Sequence, residues 1–146
     1  MTFERKQTKR LYVRDVPVGG NAPVAVQTMQ NTNTKDVDAT VRQIHEVAEA
    51  GCEITRVAVP DRAAATALAD IVRQSPIPVV ADIHFKADLA LRSIEAGCDA
   101  LRINPGNIGS EEGVAAIAEA AKKAGIPIRV GVNSGSVHAD IRDEFG

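Results

Sequence analysis

The chain has 146 residues, 45% hydrophobic and 25% charged, with a formal net charge of −2. That length can bury one core, and the near-neutral balance gives no electrostatic footprint for nucleic acid or an anionic membrane surface. No apolar run approaches the roughly 20 residues of a bilayer span, and a start charged from Glu4 onward is unlike a secretory leader, so a cytoplasmic protein is expected.

Residues 1–9 are polar. Leu11 to Gly20 alternates apolar and polar residues around Asp15, which predicts a small hairpin ending at Gly19-Gly20. Residues 1–20 are therefore read as an amino-terminal segment, and 21–146 as the body of the domain. Pro23 to Met29 reads as the first core strand, followed by a polar loop over Asn31 to Lys35. Thr34 or Asp36 can cap the next helix, where Val37, Val41, Ile44 and Val47 recur at spacings of three and four. Gly51 is placed to end it in a left-handed conformation.

The unit then repeats. Strands are predicted over Ile54 to Val59, Pro78 to Ile83, Ala100 to Asn104 and Pro127 to Val132. Helices are predicted over Asp61 to Gln74, Ala87 to Ala96 and Glu111 to Ala124, with another beginning at Ser136. Glu49-Ala50-Gly51-Cys52-Glu53 matches Glu95-Ala96-Gly97-Cys98-Asp99 at an offset of 46 residues, and Arg56 matches Arg102 at the same offset. Cys52 and Cys98 are too far apart for a metal knuckle. They read as small buried residues at helix-to-strand turns, so no metal or iron–sulfur ligand set is assigned to this chain.

Unbroken strand–helix alternation means a parallel sheet with right-handed crossovers. Strands of a doubly wound sheet are covered on both faces and should be apolar throughout. Here one parity is apolar: Val24 and Val26, Val57 and Val59, Val79 and Ile83, Leu101 and Ile103, and Ile128, Val130 and Val132. The other turns small or polar toward the carboxyl end of each strand, with Gln27, Arg56, Asp82, His84, Arg102, Asn104, Arg129 and Asn133. One face meeting helices and the other lining a polar mouth favours a closed barrel. A (β/α)8 barrel needs about 250 residues. The expectation is thus an α/β fold comprising the first five strand–helix units of an incomplete TIM barrel, preceded by a short hairpin. A five-stranded arc cannot close, so the chain is read as the front part of a longer protein, with assembly of copies as the alternative.

Active sites of such folds lie at the carboxyl ends of the strands. Arg56, Arg102 and Arg129 should point inward there, answered by Asp82 with His84 beside it. Unpaired buried charge costs several kcal/mol per ion. Three guanidinium groups around one carboxylate therefore imply an anion, and arginine favours bidentate contact with phosphate. A diphosphate matches the surplus of two positive charges; the bland alternative is a set of strand-end salt bridges. Gln27, Asn104 and Asn133 can orient a hydroxyl-rich substrate or satisfy loop backbone. His45 and His138 read as solvated helix residues. Gly-Asn-Ile-Gly after Pro105 lacks the spacing of a dinucleotide fingerprint.

Six stretches carry a family likeness: VQTM, NTNTKDVDATVRQI, EAGCEITRVAVP, IPVVADIHF, LRINPGNIG and IPIRVGVNSGS. From about Arg10 to Gly146 the chain resembles the bacterial 4-hydroxy-3-methylbut-2-enyl diphosphate synthases. It departs from them at Thr28, where serine is usual, at Arg14, where glycine is common, and at Lys86-Ala87. The resemblance implies an oxidoreductase of non-mevalonate isoprenoid biosynthesis, which reductively opens 2-C-methyl-D-erythritol 2,4-cyclodiphosphate and expels water. It further implies electrons from ferredoxin or flavodoxin through a 4Fe–4S cluster, and a homodimer when full length. The cluster ligands would lie in a carboxyl-terminal domain absent from this sequence, so the chain alone is expected to be inactive. Arg56, Arg102 and Arg129 occupy the family's diphosphate-binding positions, with Asp82, His84, Asn104 and Asn133 around them. The competing readings are another phosphate- or pterin-binding TIM-barrel enzyme and a non-enzymatic, anion-binding half-barrel.

Overall fold

A computed structural model describes residues 6–137, 141 and 143–144. Five strands, β3 (Gln27–Met29), β4 (Ile54–Ala58), β5 (Val79–Ile83), β6 (Ala100–Ile103) and β7 (Ile128–Val130), form one parallel sheet in the spatial order β3-β4-β5-β6-β7. Each crossover moves one strand further in the same direction. A doubly wound sheet would reverse at a switch point, so this order belongs to a barrel arc. The arc is curled: Arg129 on β7 donates a 3.4 Å hydrogen bond to Gln27 on β3, linking its two outermost strands across the inner face.

Between the strands run α1 (Val37–Glu49), α2 (Arg62–Gln74), α3 (Ala87–Glu95), the single-turn α4 (Pro105–Ile108) and α5 (Glu111–Ala124). Local chemistry sets their ends. The carboxylates of Asp36 and Asp61 and the hydroxyl of Ser110 accept amide hydrogens at the starts of α1, α2 and α5. The Ala64 amide, and then the Lys35 ammonium, hold the Asp61 carboxyl below its ordinary value. Gly51 and Gly97 end α1 and α3 with φ of +95° and +86°. In both repeats the following cysteine is buried, and the next acid ties down a neighbouring strand. Glu53 accepts from the amide of Val26 and Asp99 from that of Val79, each at 2.8 Å.

The outward residues of the sheet, Val57, Val79, Ala81, Ile83, Leu101 and Ile103, pack against Ile44, Leu68, Ile71, Leu89 and Ile117 of the helices. The inner face is apolar only near the strand starts, where Ile54, Val80 and Ala100 meet Val13 and Val16. Those valines come from a hairpin of β1 (Leu11–Val13) and β2 (Val16–Val18), which closes the amino-terminal end of the arc. At its tip Arg14 takes φ +55°, a region that favours glycine, and its guanidinium grips Asp99 in a bidentate pair at 3.0 Å.

Several boundaries differ from those expected. The first core strand is confined to Gln27–Met29; Val24 and Val26, read as helix-facing, are exposed, Val24 by 90%. An edge strand has one neighbour, and the stretch ahead of β3 has no second strand to order it. Val130 on the edge strand β7 and Val132 just beyond it are exposed for the same reason. The helix α4 was not anticipated: Pro105 fits its first turn, Asn104 caps it, and Gly109 ends it at φ +87°. The segment expected to turn helical at Ser136 begins as a 3-10 turn at Ser134–Ser136. No helix among the described residues is long and apolar enough to cross a membrane.

Burial pushes the Cys98 thiol up to about 12, with the Asp99 carboxylate adding to the effect. Such a thiol is protonated at neutral pH and a poor nucleophile. Iodoacetamide at pH 8 should therefore leave Cys52 and Cys98 unlabelled in the native chain and modify both in guanidinium. Native labelling at the rate of a free thiol, read by mass spectrometry, would contradict this packing.

Candidate functional site

Alternation along the strands brings Arg56, Asp82, Arg102 and Arg129 to the inner face. The ladder pairs Asp82 with Arg102, and Arg102 with Arg129, so these three form one row across β5, β6 and β7. Arg56 is paired with Val80, one inward residue earlier than Asp82. Its long side chain spans the difference.

Asp82 is the hub. Its side chain is 2% exposed, and its Oδ1 accepts from Arg102 Nη1 at 3.2 Å. Oδ2 lies 3.4 Å from Arg56 Nε and 3.3 Å from His84 Nε2. The Arg56 approach is a charge contact without hydrogen-bond alignment, since that buried Nε has no hydrogen-bond partner. Arg56 Nη2 instead points at Met29 Sδ, 3.1 Å away, a weak acceptor. Both guanidinium groups stay about a quarter open to solvent. Asp82 thus anchors one side of each group and leaves further donors near the mouth.

Arg129 behaves differently. It is exposed and donates to Gln27 rather than to Asp82. Both Asp82 oxygens are already taken by Arg56, His84 and Arg102. The three arginines expected to converge are thus two on the carboxylate and a third in the adjacent row position. His84 is half exposed and meets the edge of Phe85 at 6.0 Å.

The two asparagines do backbone work. Asn104 is 1% exposed, and its Oδ1 accepts from the Gly106 amide at 3.2 Å, capping α4. Asn133 starts the 3-10 turn, where its amide donates to Ser136 Oγ at 3.1 Å. His45 is exposed on α1, and His138 lies outside the described residues.

Three neighbours shape the site in ways that strand parity alone does not report. Met29 carries the sulfur facing Arg56. Gln30 is buried, donates to Thr55 Oγ1 at 2.7 Å, and has a partnerless Oε1. Gly131 leaves its space to Arg102: a Cβ there would come within 2.6 Å of Nη2 and 2.7 Å of Nε. A lone glycine continuing a strand marks such a close approach, and that signal was readable.

The described residues do not fit an iron–sulfur cluster. No group of three His, Cys, Asp or Glu side chains able to hold a metal occurs among the described residues. Both cysteines are buried, and the Cys98 thiol resists the deprotonation that ligation requires. What the constellation offers is electrostatic: donors fixed at strand ends that can hold an anionic group.

Sequence comparison matches residues 8–146 to the GcpE TIM-barrel domain. The chain is 52% identical, over 99% of its length, to the 4-hydroxy-3-methylbut-2-en-1-yl diphosphate synthase (flavodoxin) of Idiomarina loihiensis, and covers 39% of that protein. It is 54% identical to the enzyme of the same name from Maridesulfovibrio salexigens, again over 99% of this chain and covering 40% of that protein. The chain therefore spans about two-fifths of these curated relatives. Among solved structures, 7,8-dihydropteroate synthase from Vibrio fischeri superposes with a TM-score of 0.61 at 14% identity, over 84% of this chain and 48% of that one. The Xanthomonas albilineans dihydropteroate synthase gives 0.60 at 15%, over 94% and 56%. At such identities the likeness is one of fold. By sequence and by architecture the chain belongs to the GcpE TIM-barrel domain family.

Proposed function

We propose that this chain is the substrate-holding front of a 4-hydroxy-3-methylbut-2-en-1-yl diphosphate synthase. In this reading residues 21–146 supply the first five units of its barrel, and residues 1–20 are an amino-terminal segment whose hairpin of β1 and β2 closes the base. The observation that carries the proposal is the pairing of Arg56 and Arg102 on the buried carboxylate of Asp82, with Arg129 beside Arg102 in the ladder. Three guanidinium groups and one carboxylate leave two positive charges uncompensated, which suits a cyclic diphosphate. The sequence match over nearly the whole chain favours this substrate over the pterin of the dihydropteroate synthases, whose likeness is of fold alone.

The chain's own part in the reaction is electrostatic. Arg56 and Arg102 bind phosphate oxygens, and Asp82 fixes their direction before substrate arrives. Donors set in advance stabilise negative charge as it develops on the diphosphate side of a breaking ring C–O bond, with little reorganisation. His84 is placed to donate a hydrogen bond from the same rim, and Arg129 can leave Gln27 for the substrate. Gln27, Asn104 and Asn133 support this rim, the asparagines by holding the loops that carry it. Reducing equivalents and a 4Fe–4S cluster belong to parts of the protein other than the described residues. The relatives' names support flavodoxin as the electron donor. The family resemblance supports a homodimer in which a second domain covers the barrel mouth.

Two outcomes test this reading. In the complete barrel, Arg102→Met should weaken binding of the cyclic diphosphate by about 1.5–3 kcal/mol, the usual worth of a charged hydrogen bond; calorimetry showing no change would remove Arg102 from the site. The 146-residue chain, purified anaerobically and supplied with a chemical reductant, should show no turnover. Product formation would mean that the reductive chemistry resides here.

A further inference from the structure

We propose that Gly131 is a positioning residue for the anion site: its bare backbone is the seat of the Arg102 guanidinium, and a side chain there would displace that group from Asp82. The inference rests on reading Arg102 as an anion ligand. Gly131 does not adopt a positive φ, unlike Gly19, Gly20, Gly51, Gly97, Gly109 and Gly125. Conformational freedom therefore gives no reason for glycine at this position. Space does. An added Cβ would lie 2.6 Å from Nη2, 2.7 Å from Nε and 3.0 Å from Cζ of Arg102, and these are its three nearest neighbours.

The strain has one direction of relief. The Gly131 amide donates to the Ile103 carbonyl at 2.8 Å, which pins the backbone on the β7 side to β6. Arg102, by contrast, ends in a flexible chain held at its tip by one 3.2 Å hydrogen bond. The guanidinium moves and the backbone stays. Gly106 shows the opposite case: its added Cβ would strike the carbonyl oxygen of Ser136, a backbone atom with no flexible chain to carry it aside, so folding itself would suffer. Substitution at 131 should therefore act through Arg102 alone, with the fold kept and a stability loss no larger than that of removing the Arg102 guanidinium, a limit that a packing glycine would not respect.

A double-mutant cycle in the full reading frame carrying this chain tests the inference, with calorimetric titration of 2-C-methyl-D-erythritol 2,4-cyclodiphosphate and thermal melting as readouts. Gly131→Ala should weaken binding by about tenfold, the scale of one charged hydrogen bond, with a melting temperature no lower than that of Arg102→Met, since both changes take the same partner from Asp82. In an Arg102→Met background, where no guanidinium needs the seat, the same alanine should change affinity less than about twofold, the signature of coupled neighbours. Full loss in both backgrounds, unchanged affinity in the wild-type background, or a Gly131→Ala protein that fails to fold would each overturn the role. If Arg102→Met itself leaves affinity intact, the anion-site reading falls and this inference with it. Loss from Arg102→Met combined with a silent Gly131→Ala would sink the inference alone.

Discussion

A carboxylate taken out of water is the constraint around which the strand ends are arranged. Asp82 is almost fully buried, and a lone buried charge of this kind costs several kcal/mol. It is tolerable because Arg102, Arg56 and His84 surround it within 3.2–3.4 Å. The dependence runs both ways. Removing the aspartate would release two long, rotamer-rich side chains; with it in place, both are directed at one end of the barrel. A single acid thus holds two flexible cations in fixed directions.

The rest of the fold delivers those groups to one place. Period-two alternation separates a helix-facing apolar set from an inward set whose chemistry changes with depth. Ile54, Val80 and Ala100 lie below, sealed by the hairpin valines, and Arg56, Asp82 and Arg102 lie above. The helix caps and the paired acids Glu53 and Asp99 fix the strand starts. Small errors in register are therefore resisted at the end opposite the site, where one-residue slips would exchange the two faces.

Much of this was legible because the periodicities are strong. The apolar parity of Val57, Val79, Ile83, Leu101 and Ile103 identified the outer face, and all five are buried against helices. The repeated Ala-Gly-Cys turns were read correctly as structural, for their cysteines are buried. The failures have a common physical origin in edges and long side chains. Val24, Val26, Val130 and Val132 carry the same pattern, yet pattern reports which face a residue occupies and not whether anything covers it. Arg129 was assigned by parity to the inner face, where it does lie, but parity does not say which acceptor a long arginine selects. For Asn104 both a substrate contact and a backbone partner were open, since a strand-end amide before Pro-Gly suits either, and its Oδ1 accepts from the Gly106 amide. Gly131 falls on the inner parity and marks a close approach, but which side chain approaches depends on a neighbour one strand away.

The most direct measurement is a crystal structure of the complete protein with 2-C-methyl-D-erythritol 2,4-cyclodiphosphate bound. The account predicts diphosphate oxygens within hydrogen-bond distance of both Arg56 and Arg102, with the Asp82 carboxylate still holding the far side of each guanidinium. A substrate bound elsewhere on the barrel, with those two arginines engaged by Asp82 alone, would contradict it.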